Sequence, residues 1–152
     1  MTFPTIDYAY YSSVAALVFN TDKTFGSITA GSPAVIYVNG SVTLGNGTHS
    51  GLITIVATGN ININGVQSPA DANSFLALIN MGDININNSP VHAIMYSHKW
   101  SNNAQIHVRM PNVMITGCAA ADDISLEQTS VTVTRDTVLT LSVMKQLRLP
   151  GL

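Results

Sequence analysis

From residue 33 onward, apolar segments are followed by a Gly and then by a segment in which every second residue is apolar. Val35-Ile36-Tyr37-Val38 leads through Asn39-Gly40 into Ser41-Val42-Thr43-Leu44, and Ile53-Thr54-Ile55-Val56 leads through Thr58-Gly59 into Asn60-Ile61-Asn62-Ile63. Phe75-Leu76-Ala77-Leu78-Ile79 leads through Met81-Gly82 into Asp83-Ile84-Asn85-Ile86, so that Gly59–Asn64 returns almost verbatim as Gly82–Asn87. Two looser copies follow: His92-Ala93-Ile94-Met95-Tyr96 with Gln105-Ile106-His107-Val108, and Val113-Met114-Ile115-Thr116 with Asp123-Ile124-Ser125-Leu126. Aligned positions 40, 59, 82, 104 and 122 recur about every 20 residues, the size of one coil of a parallel β-helix.

An antiparallel meander is the rival arrangement, because Val38-Asn39-Gly40-Ser41 alone is a hairpin signal. The other copies argue against it: Thr58 and Met81 precede the Gly, and both are poor where a hairpin turn needs positive φ. A corner needing one left-handed residue accounts for the persistent Gly. Period-two alternation then sends Ile61, Ile63, Ile84 and Ile86 inward and Asn62, Asn64, Asn85 and Asn87 outward. Stacking predicts one internal column of Val42, Ile61, Ile84, Ile106 and Ile124, with Leu44, Ile63, Ile86, Val108 and Leu126 beside it.

Ahead of the repeats, Ile6, Tyr10, Val14, Leu17 and Val18 have helical spacing, with Thr5 as N-cap and Asn20-Thr21-Asp22 as the stop. This predicts an amphipathic helix over 5–20 covering the open end of the solenoid. Behind them, Ser130-Val131-Thr132-Val133-Thr134 and Val138-Leu139-Thr140-Leu141-Ser142-Val143 predict a closing pair of strands within 130–149. The expected fold is all-β: a single right-handed parallel β-helix (solenoid) domain over 1–152, with a capping helix, repeat coils over 33–126, about 5–6 coils in all, and C-terminal strands.

Composition narrows the use of such a body. Charged residues are only 9% of the chain, below the roughly one quarter of ordinary domains, so amides and hydroxyls must cover the surface. The six Lys/Arg form no run and the formal net charge is −2, so no nucleic-acid partner is expected. Cys118 sits among small residues and reads as a buried, inert thiol. No stretch approaches the ~18 apolar residues of a membrane span. Three sequons, at Asn39, Asn46 and Asn87, are expected by chance in so Asn-rich a chain.

Candidate chemistry is sparse. Asp122-Asp123, with Arg109 about one coil earlier, is the one cluster resembling the acids of polysaccharide-cleaving enzymes, but adjacent strand residues point apart, and a solvated turn is the plainer reading. His49, His92, His98 and His107 lack metal-ligand spacing, and neither a metal nor a cofactor is expected. His98-Lys99-Trp100-Ser101-Asn102-Asn103 interrupts a coil and carries the sole Trp beside amides, a pairing suited to stacking and hydrogen-bonding a sugar ring, or to folding back over the core.

The words Ile36-Tyr37-Val38-Asn39-Gly40-Ser41-Val42-Thr43-Leu44 and Ala57-Thr58-Gly59-Asn60-Ile61-Asn62-Ile63, after the Pro4-Thr5-Ile6-Asp7 helix start and Thr24-Phe25-Gly26, resemble the solenoid ectodomains of type IV pilus accessory and minor-pilin-like proteins. The resemblance covers roughly residues 4–126 and implies an extracellular or envelope domain cut from a longer protein with an N-terminal membrane helix. A weaker resemblance is to bactofilins, cytoplasmic solenoids that polymerise end to end. The expected function is a non-enzymatic structural or adhesive module, with pilus or envelope proteins or glycans as partners and self-association through the end coils. The alternatives are a polysaccharide-binding or polysaccharide-degrading β-helix and a self-assembling cytoskeletal solenoid. Trp100, His98, Asn102, Asp122, Asp123 and Arg109 are the expected surface contacts.

Overall fold

A computed structural model describes residues 4–99, 104–127, 130–134 and 141–150. Its strands pair in parallel throughout and wind into a β-solenoid of about six turns with three flanks. The first flank stacks β1 (Leu17–Phe19), β4 (Ala34–Val38), β7 (Leu52–Ala57), β10 (Phe75–Asn80) and the second halves of β12 (Val91–Ser97) and β14 (Val113–Ala121). The second stacks β2 (Lys23–Phe25), β5 (Val42–Leu44), β8 (Ile61–Ile63), β11 (Ile84–Ile86), β13 (Gln105–Val108) and β15 (Asp123–Leu126). The third holds β3 (Ile28–Thr29), β6 (Gly47–Ser50), β9 (Gln67–Pro69), the first halves of β12 and β14, and β16 (Val131–Thr134).

Both internal columns occur in the expected register. Val42, Ile61, Ile84, Ile106 and Ile124 are successive partners, as are Leu44, Ile63, Ile86, Val108 and Leu126. All but the last member of each are fully or almost fully buried. Each such aliphatic contributes roughly 1.5–3 kcal/mol of burial, offset by the entropy of ordering the chain.

The repeat glycines are explained differently from expectation. Gly40, Gly59 and Gly82 do not have the positive φ found at Gly51 and Gly117. They are small because the coils touch there: a Cβ on Gly59 would lie 2.5 Å from Ser41 Oγ, and one on Gly82 2.5 Å from Asn60 Oδ1 and 2.9 Å from the Gly59 carbonyl oxygen. Close approach, not a left-handed turn, selects them.

Both terminal expectations need correction. The helix α1 spans only Tyr8–Val14, capped by Asp7, whose carboxylate accepts the Tyr10 N–H at 3.0 Å. Leu17 and Phe19 pair with Ile36 and Val38 instead, so the coils begin at residue 17; period-two pairing overrides a helical spacing that these positions also satisfy. The helix lies along the first flank, where the Tyr8 hydroxyl donates to the Ala57 carbonyl and accepts from the Met81 N–H, each at 2.8 Å. At the other terminus β16 is a strand, but Leu141–Gln146 is a helix (α2), and 135–140 lie outside the described residues. Leu147 and Leu149 after α2 are buried on the same flank with Ile6, Tyr11, Val35, Val56 and Ile79. The first flank is therefore packed on both faces.

Candidate functional site

Where the first flank turns into the second, the corner position is held by Asp22, Ser41, Asn60 and Asp83, each just before its second-flank strand, and by Gln105 and Asp123, the first residues of theirs. Their side chains build a ladder along the corner. Asp22 Oδ1 accepts the Ser41 N–H at 2.7 Å, Ser41 Oγ the Asn60 N–H at 3.3 Å, Asn60 Oδ1 the Asp83 N–H at 3.0 Å and Asp83 Oδ1 the Gln105 N–H at 3.1 Å. Short acceptor side chains suit this role because they reach the backbone one coil on without bridging solvent. The ladder then changes hand: Gln105 Nε2 donates to Asp123 Oδ2 at 3.3 Å.

In the fifth coil seven residues, His98 to Ala104, separate the two strands at this corner, against three in the coil before. Asp122, one coil later, holds both ends of that stretch. Asp122 Oδ1 meets His98 Nδ1 at 2.5 Å, and Oδ2 accepts the Lys99 N–H at 2.9 Å and the Ala104 N–H at 3.1 Å. Both side chains of the pair are 14% exposed. Burial alone would raise the Asp122 pKa, but the Lys99 N–H, His98 and the Ala104 N–H outweigh it and hold the carboxyl below its ordinary value. Asp122 is a carboxylate committed to three donors, and its chemistry is that of a tie between Lys99 and Ala104.

Of the expected contacts among the described residues, the structure brings His98 and Asp122 together and directs Asp123 and Arg109 elsewhere. Asp123 turns to Gln105, so the neighbouring carboxylates do not converge. Arg109 leaves the far end of β13 and lies 3.6 Å from Glu127, with both side chains about half exposed. Trp100 and Asn102 lie outside the described residues. Cys118 is exposed, contrary to its reading as buried, because it follows Ile94 in register on the outward side of β14.

Several polar groups escaped the sequence reading. His107 stands outward on β13 between Asp83 Oδ2 (3.6 Å to Nε2) and Glu127 Oε1 (3.4 Å to Nδ1), ion-pair separations without hydrogen-bond geometry at Nδ1. Its signal was available: the column alignment puts His107 directly after Asn85. His49 is buried inside the third flank, where desolvation first and the neighbouring His92 second lower its pKa to about 4. It is a neutral imidazole at neutral pH. Among the described residues no group of three or more His, Cys, Asp or Glu is arranged to hold a metal ion.

The outward face of the second flank is an ordered amide surface. Asn85 Nδ2 donates to Asn62 Oδ1 at 2.9 Å, Asn87 Nδ2 to Asn64 Oδ1 at 2.8 Å, and Asn88 Nδ2 to the Asn64 carbonyl at 3.2 Å. Asn62 and Asn85 are register partners. Each ladder bond uses one N–H and one lone pair, and a primary amide has two of each. Stacking therefore fixes the orientation of the amides and leaves hydrogen-bonding capacity at the surface on Asn62, Asn64 and Asn87, whereas Asn85 is buried with its Oδ1 unpaired. No helix among the described residues is long and apolar enough to cross a membrane. No family model, curated protein or solved structure matches this chain.

Proposed function

We propose that this solenoid is a non-enzymatic structural and adhesive module of a cell surface or envelope, associated with pilus or other envelope proteins, and that its second flank contacts neutral glycans. The observation that carries the reading is the paired amide ladder of Asn62–Asn85 and Asn64–Asn87, which is exposed at Asn64 and partly exposed at Asn62 and Asn87. Fixed amides at strand spacing match a polyhydroxylated chain in donors and acceptors, and fixing them beforehand lowers the entropy lost on binding. The low charge content supports a neutral ligand. The polysaccharide-degrading alternative asks for two carboxylates on one site, and Asp122 and Asp123 diverge.

A panel of immobilised neutral polysaccharides tests this. The protein should be retained, and Asn62→Leu with Asn64→Leu should weaken retention by about tenfold or more while the thermal melt shows a folded chain. Absence of retention by the unaltered protein on every polysaccharide sinks the glycan reading. Release of reducing ends during the same incubation would move the assignment to a degrading enzyme.

A further inference from the structure

The two ends of the solenoid carry complementary halves of one repeating joint. At the first coil, Leu17 occupies an inward column above Ile36, yet it is 53% exposed. At the last, Ile124 and Leu126 end the two columns of the second flank, and Val133 ends the column of Ile115; they are 45%, 57% and 58% exposed. In every intervening coil the same positions are buried by the next coil. Among the described residues nothing covers them at either end.

The corner ladder gives the joint a direction. Along the chain each corner side chain but Gln105 takes the backbone N–H of the following corner, so every link needs an acceptor before and an N–H after. Asp22 begins the series with no coil ahead of it to accept its own N–H. Asp123 closes it, exposed, its carboxylate accepting from Gln105 Nε2 at 3.3 Å. One end thus offers the acceptor and the other the N–H.

We propose that the last coil of one molecule docks on the first coil of a second copy, head to tail, with Asp123 receiving the N–H of the partner copy's Asp22 as each earlier corner receives its successor. β15 then pairs with β2, β16 with β3 and the open edge of β14 with β1, all in parallel. Ile124 and Leu126 continue over Lys23 and Phe25. This register follows from the pairing already present between consecutive coils, and it selects a second copy over an unrelated partner because only the solenoid's own cross-section repeats three flanks and a corner acceptor at these positions. The first coil tempers the contact. Lys23 points into an otherwise apolar column, with its ammonium 4.6 Å from the Phe19 ring centroid, a charge of the kind that keeps strand edges from pairing too strongly. Asp22 and Asp123 also meet as like charges, so the association is reversible and depends on concentration.

An open-ended joint of this kind is heterologous and leads to short chains of molecules. It is independent of what the amide flank binds. Sedimentation velocity over a concentration series should show dimers and longer species. Leu126→Lys, at the exposed end of its column, and Leu17→Lys, at the other end, should each weaken association by about tenfold or more, with unchanged far-ultraviolet circular dichroism as the control for folding. Mixing these two variants should restore a dimer that neither forms alone, because each retains the face the other has lost. A protein that stays monomeric at every concentration overturns the proposal. So does a Leu17→Lys variant that still dimerises, which would mean that last coils pair with each other, or a mixture that stays monomeric.

Discussion

The first and second flanks share one solenoid and similar strand pairing, yet their outward faces obey opposite rules. On the second, outward positions are Asn62, Asn85 and His107, and the sequence alternates strictly. On the first, outward positions are Val35, Val56, Ala77, Ile79, Ile94 and Tyr96, buried under α1 and the residues following α2. A strand buried on both faces reads as a continuous apolar run, and one buried on a single face reads as alternation. What differs between the flanks is their cover, and the cover is written into the strands themselves.

The sharpest way to break this contrast is to put the same charge on each outward face. Val56→Asp buries a carboxylate with no partner and should destabilise the fold by about 4 kcal/mol or more, whereas Asn62→Asp should cost within about 1 kcal/mol, both read from urea unfolding. Equal effects would mean that the first flank is not sealed.

A second difference is in alkali. Burial, with the Asp122 charge second, pushes the Tyr96 hydroxyl from 10.0 up to about 12, and burial likewise pushes Tyr8 and Tyr11 up. A phenol whose folded pKa lies above its unfolded value contributes fully below the unfolded one and loses that contribution as pH rises through the folded one. Stability should therefore hold to pH 10.0 and then fall as the pH rises towards about 12. Tyr96→Phe should flatten that descent in a pH series of unfolding curves. The amide ladder of the second flank has no group that titrates there.

The smallest effect sharpens the contrast at one hydroxyl. Tyr8→Phe removes a donor from the Ala57 carbonyl and an acceptor from the Met81 N–H and should cost about 1–2 kcal/mol. Hydrogen exchange at the Met81 amide should accelerate, while amides of β8 and β11 keep their protection.

The parts of this fold that sequence could reveal were those repeated at fixed period. Stacking Ile61 on Ile84 needs only the alignment of two nearly identical hexapeptides, and the inward columns followed with their register. The repeat Gly was recognised but assigned to φ, because its real constraint, a neighbouring backbone one coil away, is invisible within a single turn. Leu17 and Val18 satisfied a helical spacing, and only the pairing partner, about 20 residues on, decides between helix and strand. The cover of the first flank was in principle legible from its unbroken apolar runs. The candidate site was less so. Asp122 and His98 meet because they follow the register partners Ala121 and Ser97, a pairing that the unequal coil lengths hide in sequence, and the corner ladder mixes Asp, Ser, Asn and Gln, which share acceptor chemistry but no pattern of hydropathy.

The same cover sets an order of events in folding. Coils that contact only their neighbours can form successively as the chain is made, each ordering on the one before. The clasp on the first flank cannot: the Tyr11 hydroxyl donates to the Arg148 carbonyl, Arg148 Nη1 donates to the Tyr10 hydroxyl at 2.8 Å, and Thr54 Oγ1 donates to the Leu147 carbonyl at 2.5 Å. The first two join residues near the start of the chain to one made 137 and 138 positions later, and the third spans 93. Until they arrive, Val35, Val56 and Ile79 stand uncovered on a growing sheet, and a nascent solenoid with its coils already wound remains a sticky intermediate whose last step is the closing of its two ends against one another.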